Sequence, residues 1–395
     1  MRRGEYASGV GSLQHRGTAG HVSRRVATLG TPQGVSEAGA PARIIAVRID
    51  GPLELPERFA ALKDKRILVT GAAGFLGGAL LRRLAAYGCD VTGTVLHPHE
   101  AEALRDEGFK ISILDLASDE PFDCHLQGMD IVFGVAAMFR ETEHGEKLYT
   151  KVNAEGALKL CKAAAHAGVA RFVHCSTVGV HGPVLEIPCR ETSPYNPADH
   201  YTRAKLKGEL AILDFARTLP EDGMIVTVNR PAMVYGPGDT RLLLLFKSIL
   251  HRKFVMIGWR QVWAHLSYIE DQTESFLLCA VASREKVHLE AFNIASHRAT
   301  TTREIVSTIA DCGGVTLPKL SLPATPFWLA GAVCEAVCMP LGVRPPLFRR
   351  RVGFFMDNRA FDLTKAREHL DYVSQWDTAT GVARTIEWYR QEGFV

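Results

Sequence analysis

A chain of 395 residues exceeds one small domain and suits one large α/β unit or two modest ones. With 47% hydrophobic and 23% charged residues it excludes a wholly disordered, collagen-like or fibrous protein, and a formal net charge of +3 leaves nucleic-acid binding without support. The nine cysteines are odd in number and form no C-x-x-C pair, so they give no basis for a disulfide framework or a structural metal site and read as reduced thiols in a cytoplasmic protein.

Residues 1–60 are rich in Gly, Ser, Ala and Arg, poor in acids and without apolar periodicity, and read as a disordered extension. An Arg-rich, acid-poor start also fits an organelle transit peptide, while the absence of an apolar run behind it argues against a secretory signal. FAALKDK at 59–65 predicts a short lead-in helix before the apolar run Arg66–Thr70. Short β-rich runs follow at 91–95, 111–114, 130–135, 171–175 and 225–229, with helical stretches at 76–87, 154–167 and 202–218 between them. Strands alternating with helices of this length predict βαβ units and a Rossmann-type, doubly wound parallel sheet over 64–232. Beyond Pro231 the alternation turns irregular, which predicts a smaller C-terminal substrate-binding region over 233–395, some segments of which return to the sheet.

The stretch 325–343 is strongly apolar but holds Glu335, Pro326 and Pro340, and at 1.5 Å per residue it is too short between its prolines to cross a ~30 Å hydrocarbon core. It reads as a buried or lid helix, with a helix lying on a membrane surface as the other reading.

Gly71, Gly74 and Gly77 follow a strand and open a helix, at G-x-x-G-x-x-G spacing. Gly71 permits the tight turn, Gly74 lets the backbone approach a pyrophosphate, and Gly77 lets the helix pack close, while the helix N-terminus offers free N–H groups to phosphate. In that helix Ala79, Leu80 and Leu84 are expected inward and Arg82 and Arg83 outward. The next strand ends Thr94-Val95-Leu96-His97-Pro98, with neither the acid that binds adenosine ribose hydroxyls nor an arginine for a 2′-phosphate, so NAD against NADP stays open. His97 and His99 read as loop histidines, with a contact to a 2′-phosphate as the other reading.

Tyr201 and Lys205 stand four apart at the start of a helix, on one face. A tyrosine of ordinary pKa ~10 is a poor base at neutral pH unless a cation stabilises its phenolate, and Lys205 offers that charge. One βα unit earlier a strand ends Cys175-Ser-Thr177, where a hydroxyl can bond a reacting carbonyl.

Over roughly 64–385 these residues resemble the extended short-chain dehydrogenase/reductase family. The resemblance rests on TGAAGFLG, RFVHCSTVGVHG, YTRAK, VFGVAAM at 132–138, VNAEGA and NRPAMVYGPGD. It implies a catalytic set of Thr177, Tyr201 and Lys205. It also implies a cofactor shell of Gly71, Gly74, Phe75, Leu76, Gly77, Asp115, Leu116, Val135, Ala136, Ala137, Asn153 and Pro231 together with Tyr201 and Lys205. Gly134 departs from the family's frequent His, and Val95 from its NAD acid. The implied chemistry is hydride exchange between nicotinamide and a carbinol or carbonyl carbon on a small-molecule substrate, in a homodimer. Nucleotide-sugar enzymes of the family carry R-x-G-D near the C-terminus, where this chain has Arg350-Arg-Val-Gly-Phe354. The run from TPFWLAGAV to NRAFDLTKAREHL resembles the 3β-hydroxysteroid dehydrogenase-like branch instead and implies an apolar substrate. Nucleotide-sugar epimerisation or dehydration is the alternative, and a non-catalytic cofactor-binding sensor or scaffold the third reading.

Overall fold

Ile67, Leu68, Val69 and Thr70 are all fully buried, which places the first apolar run in the interior of a sheet covered on both faces. The computed structural model describes residues 51–139, 145–318, 320–338 and 349–395. Strands β1 (Arg66–Thr70), β2 (Asp90–Val95), β3 (Lys110–Ile113), β4 (Ile131–Gly134), β5 (Arg171–Cys175), β6 (Ile225–Pro231) and β7 (Ala291–Ile294) form one sheet in the order β3-β2-β1-β4-β5-β6-β7. Every neighbouring pair in it is parallel. The order reverses between β1 and β4, and that switch opens a crevice at the strands' C-terminal ends.

Alternation along β1 sends Ile67 and Val69 to one face, where they pack with Phe276 and Leu277 of the helix Ile269–Val281. Leu68 goes to the other face, with Leu160 of the helix Ala157–His166 and Ile212 of the helix His200–Ala216. A second core is built by the helices Leu243–Leu250, Thr302–Gly313 and Thr378–Gln391, through Phe246, Ile249, Ile305, Ile309, Val382, Ile386 and Tyr389. Phe75, Leu76 and Ala79 of the helix Phe75–Ala86 join that second core, so the segment behind the glycine loop touches both halves of the molecule. Three C-terminal segments return to the sheet: Ile269–Val281, β7 and the helix Thr364–Leu370, whose Ala366 and Leu370 are buried in the first core.

Four sequence expectations change. Of the expected 1–60 extension, residues 1–50 lie outside the described residues, but 51–60 belong to the fold: Leu53 N donates to Ala86 O at 2.8 Å, and Phe59 and Leu62, in a 3₁₀ turn at Glu57–Leu62, are fully buried. The helix predicted at 154–167 runs from Ala157 to His166 and is preceded by a π-helical turn, Lys151–Gly156. Arg82 is buried rather than outward, its guanidinium lying over the Phe109 ring at 5.2 Å and donating to Glu107 Oε2 at 2.7 Å, because a long aliphatic stem with its charge paired can line a core. The apolar segment forms the helix Ala324–Cys338, and it is not buried as expected: of its residues only Gly331 is, while Leu329, Val333 and Val337 are 53%, 64% and 56% exposed. Among the described residues no helix is long and apolar enough to cross a membrane.

Candidate active site

The glycine loop has the backbone its sequence requires. Gly71 has φ +74°, and a Cβ there would stand 2.9 Å from Ala136 Cα. A Cβ on Gly77 would stand 2.3 Å from Gly71 O, so the helix is pressed onto the loop that precedes it. Gly74 is the N-cap of Phe75–Ala86 and is exposed. No side chain caps that helix, which leaves the first-turn N–H groups of Phe75, Leu76 and Gly77 directed at the crevice.

Thr70, which the sequence reading did not single out, ties the two sides of the switch together. Its Oγ1 accepts from Val135 N and Ala136 N, each at 3.0 Å, and donates to Phe133 O at 3.3 Å. Val135, Ala136 and Ala137 are therefore held beside the glycine loop. Asn153 is buried in the π-helical turn, where its Oδ1 accepts from Met138 N at 2.8 Å and its Nδ2 donates to Met138 O at 2.9 Å. The residue expected at the cofactor thus anchors the segment that follows β4. A Cβ on Gly208 would stand 2.3 Å from Asn153 O, which brings the helix His200–Ala216 equally close.

That helix begins where Asp199 accepts from Thr202 N at 2.8 Å, and this cap sets Tyr201 and Lys205 in its first two turns. Tyr201 is buried against Tyr149, Ala204 and Met138 and meets Phe139 edge to face at 5.1 Å. Lys205 is buried, and its Nζ donates to the carbonyl of Cys175, the last residue of β5. Burial pushes the Lys205 ammonium below the usual lysine value, with Cys175 and Glu209 acting in the other direction. Just past β5, Ser176 Oγ donates to Glu209 Oε2 at 2.5 Å. Thr177 is half-buried, and its Oγ1 accepts from Gly179 N at 3.1 Å. Of the two hydroxyls, Ser176's is committed to Glu209, and Thr177 keeps its proton for another acceptor.

Asp115 is exposed just past β3, with Oδ1 accepting from Ala117 N at 2.8 Å, and Leu116 is buried. Pro231 ends β6, level with Ile294 of β7. Two further charged groups at the crevice escaped the sequence reading. Arg241 lies over the rings of Phe75 at 5.0 Å and Phe139 at 5.6 Å, while donating to Asp239 Oδ1 at 2.7 Å. Glu100 folds back onto the end of β2, where Oε2 accepts from Leu96 N at 3.2 Å and His97 N at 3.0 Å. A carboxylate does stand at the end of β2, then, contributed by the helix Pro98–Asp106 rather than by the strand. The signal for it was the capping spacing His97-x-x-Glu100.

A nicotinamide dinucleotide fits these groups: glycines that a Cβ would obstruct, an uncapped helix N-terminus for the pyrophosphate, a carboxylate folded onto the end of β2 and a buried tyrosine–lysine helix. Fold and site together define a dinucleotide-binding α/β protein. The NAD dependent epimerase/dehydratase family matches residues 67–295, and the chain belongs to that family and takes NAD(P). It is 26% identical to the 3beta-hydroxysteroid-dehydrogenase/decarboxylase isoform 1 of Arabidopsis thaliana, over 82% of this chain and 79% of that one. It is 27% identical to the UDP-glucose 4-epimerase of Mycolicibacterium smegmatis, over 83% of this chain and 99% of that one. Among solved structures, the UDP-glucose 4-epimerase of Thermotoga maritima with UDP-glucose superposes with a TM-score of 0.65 at 24% identity, over 82% of this chain and 99% of that one.

Proposed function

We propose that this protein interconverts a secondary alcohol and a ketone on an apolar, sterol-like or other hydroxy/keto substrate. Tyr201 is the general acid/base, Thr177 orients the substrate oxygen, and Lys205 stabilises the tyrosinate. When bound, the nicotinamide ring supplies the hydride acceptor or donor. Tyr201 takes the hydroxyl proton in the oxidative direction and returns it in the reductive one. Thr177 donates its hydroxyl to the substrate oxygen while its Oγ1 accepts from Gly179 N. Phe139 packs edge to face on the Tyr201 ring and helps fix its position.

The observation that carries the substrate class is Phe354. Where nucleotide-sugar enzymes of the family place an acid, this ring packs into the C-terminal core, edge to face with Phe355 at 5.0 Å. A screen of sterol, aliphatic hydroxy-ketone and UDP-sugar candidates at the nicotinamide absorbance tests the reading. An apolar alcohol or ketone should give net turnover, and Tyr201→Phe should lower it by roughly 10³-fold. The epimerase reading, favoured by the relative that this chain covers almost completely, requires UDP-sugar conversion without net change in cofactor oxidation state. That result would replace the apolar assignment.

Within the same reading the cofactor is NAD. A 2′-phosphate at the end of β2 would meet the Glu100 carboxylate. NAD⁺ should exceed NADP⁺ in kcat/KM by about tenfold or more, and Glu100→Gln should narrow that ratio by roughly tenfold, or ~1.4 kcal/mol. Equal use of both cofactors by the unaltered protein would remove Glu100 from this role. The exposed apolar row on Ala324–Cys338 is read as a peripheral contact with a membrane surface, through which an apolar substrate would arrive.

A further inference from the structure

Tyr201, Lys205 and Glu209 are spaced four and four along one helix, so phenol, ammonium and carboxylate share a face. The Glu209 side chain is fully buried. Besides the Ser176 hydroxyl, both its oxygens accept from Arg230 Nε at 3.2 Å, and Arg230 Nη2 closes the pair. Arg230, on β6 and 1% exposed, donates its remaining N–H groups to Tyr195 OH at 2.8 Å, Glu191 O at 3.2 Å and His181 Nε2 at 3.2 Å. His181 Nδ1 lies 3.3 Å from Pro194 O, which fits the tautomer that leaves Nε2 to accept. These three partners lie on the segment that leaves Thr177. One ion pair therefore joins the Tyr201 helix, the end of β5, the segment after it and β6.

A buried ion pair is a poor device for stability alone, since apolar side chains of equal volume hold a helix to a strand as well or better. Its charge calls for another reason, and the neighbouring ammonium supplies one. The groups facing Lys205 are Tyr201 and Glu209 from its own helix and His174 and Cys175 from β5; Tyr149 from the helix Glu146–Thr150 packs on Tyr201, and Arg230 of β6 acts through Glu209. His174 is buried with neither ring nitrogen partnered, and burial, then the Lys205 charge, keep it neutral. Burial pushes the Cys175 thiol up to about 11, so it too is neutral. Among these groups Glu209 is the one carboxylate, and it is paired with Arg230.

We propose that Glu209, held by Arg230, is a positioning residue that keeps Lys205 charged and locks the Ser176–Thr177 strand end against the Tyr201 helix. The proposal rests on the reading of Tyr201 and Lys205 as the working pair. Glu209→Gln preserves the side chain's shape and an acceptor for Ser176, but it leaves Arg230 and Lys205 as two uncompensated buried cations.

The test is NADH affinity of the full chain, followed by fluorescence across neutral to alkaline pH. In the unaltered protein affinity should fall at the pH where Lys205 loses its proton, and Lys205→Met should flatten that fall. In Glu209→Gln the fall should begin at least one pH unit lower. Glu209→Gln combined with Arg230→Met, which removes both charges, should recover at least half of the displacement. An unmoved profile in folded Glu209→Gln, or a double variant displaced as far as the single one, would overturn the proposal. If Glu209→Gln does not fold, Glu209→Asp keeps the charge at shorter reach and should hold the unaltered profile; a displaced one counts against the idea. A profile that persists in Lys205→Met would instead sink the underlying reading of Lys205, whatever Glu209 does.

Discussion

At Gly74 an added Cβ would meet only Gly71 O at 3.2 Å, whereas at Gly77 it would meet that oxygen at 2.3 Å, so the two glycines tolerate different changes. Gly74→Asp places a good N-cap residue at the N-cap of Phe75–Ala86 and should leave the melting temperature unchanged or slightly higher. Its carboxylate would take the same N–H groups that a pyrophosphate needs and add like charge. The dissociation constant for NAD(H) should rise by about 10²-fold, or ~2.7 kcal/mol, in a calorimetric titration. Unchanged affinity would show that the phosphates bind elsewhere. Single positions with one local duty of this kind are the ones a sequence reports most directly.

Among the elements, Ala324–Cys338 is the one whose role its residues alone left divided between burial and a surface. Leu329, Val333 and Val337 recur every fourth residue and form an exposed apolar row. The helix's acid does not oppose an anionic surface, because Glu335 Oε2 accepts from Arg349 Nε at 2.6 Å, and the Arg349 guanidinium also lies 5.7 Å over the Trp328 ring. Sedimentation with vesicles of anionic phospholipid should retain the unaltered protein, and Leu329→Asp with Val333→Asp should lower the bound fraction several-fold. Because both positions are exposed, stability should change by no more than about 0.5 kcal/mol per site. An unaltered protein that stays in the supernatant would end the membrane reading.

Across the whole molecule, the histidines that the fold buries uncharged are expected to contribute acid sensitivity. His265 donates from Nε2 to Ser296 O at 2.8 Å, accepts at Nδ1 from Phe361 N at 3.3 Å and stacks on the Phe361 ring. Burial pushes its value down to about 4, opposed by the Ser296 bond. Between the ordinary value of ~6.5 and about 4 the unfolded chain binds the proton and the folded chain does not, so stability is present above pH 6.5 and is lost as the pH falls toward 4. From pH 7.5 to 5 this group should remove roughly 2 kcal/mol, and His174, lowered for the same reason, adds to the loss. Denaturant midpoints at the two pH values should show His265→Asn losing less on acidification than the unaltered protein. An equal loss would mean that other groups govern the acid limb.

Three kinds of feature could be read from the chain by itself: the sheet strands, the glycine loop and the Tyr201–Lys205 spacing. Each depends on a local repeat: continuous apolar burial for a parallel strand, glycine where the backbone needs positive φ or close approach, and a four-residue step on a helix. Thr70 bonding Val135 and Ala136 and Arg230 meeting Glu209 could not be read that way, whereas Glu100 returning to the end of β2 was marked by its local capping spacing. Polar partners of the first two kinds lie far apart in sequence, and which buried donor finds which acceptor is settled only when the strands are ordered side by side. Arg82 turned inward and Ala324–Cys338 left outward have the same origin. Burial depends on what the remaining chain packs against a face, and composition or periodicity within the element carries no record of that neighbour.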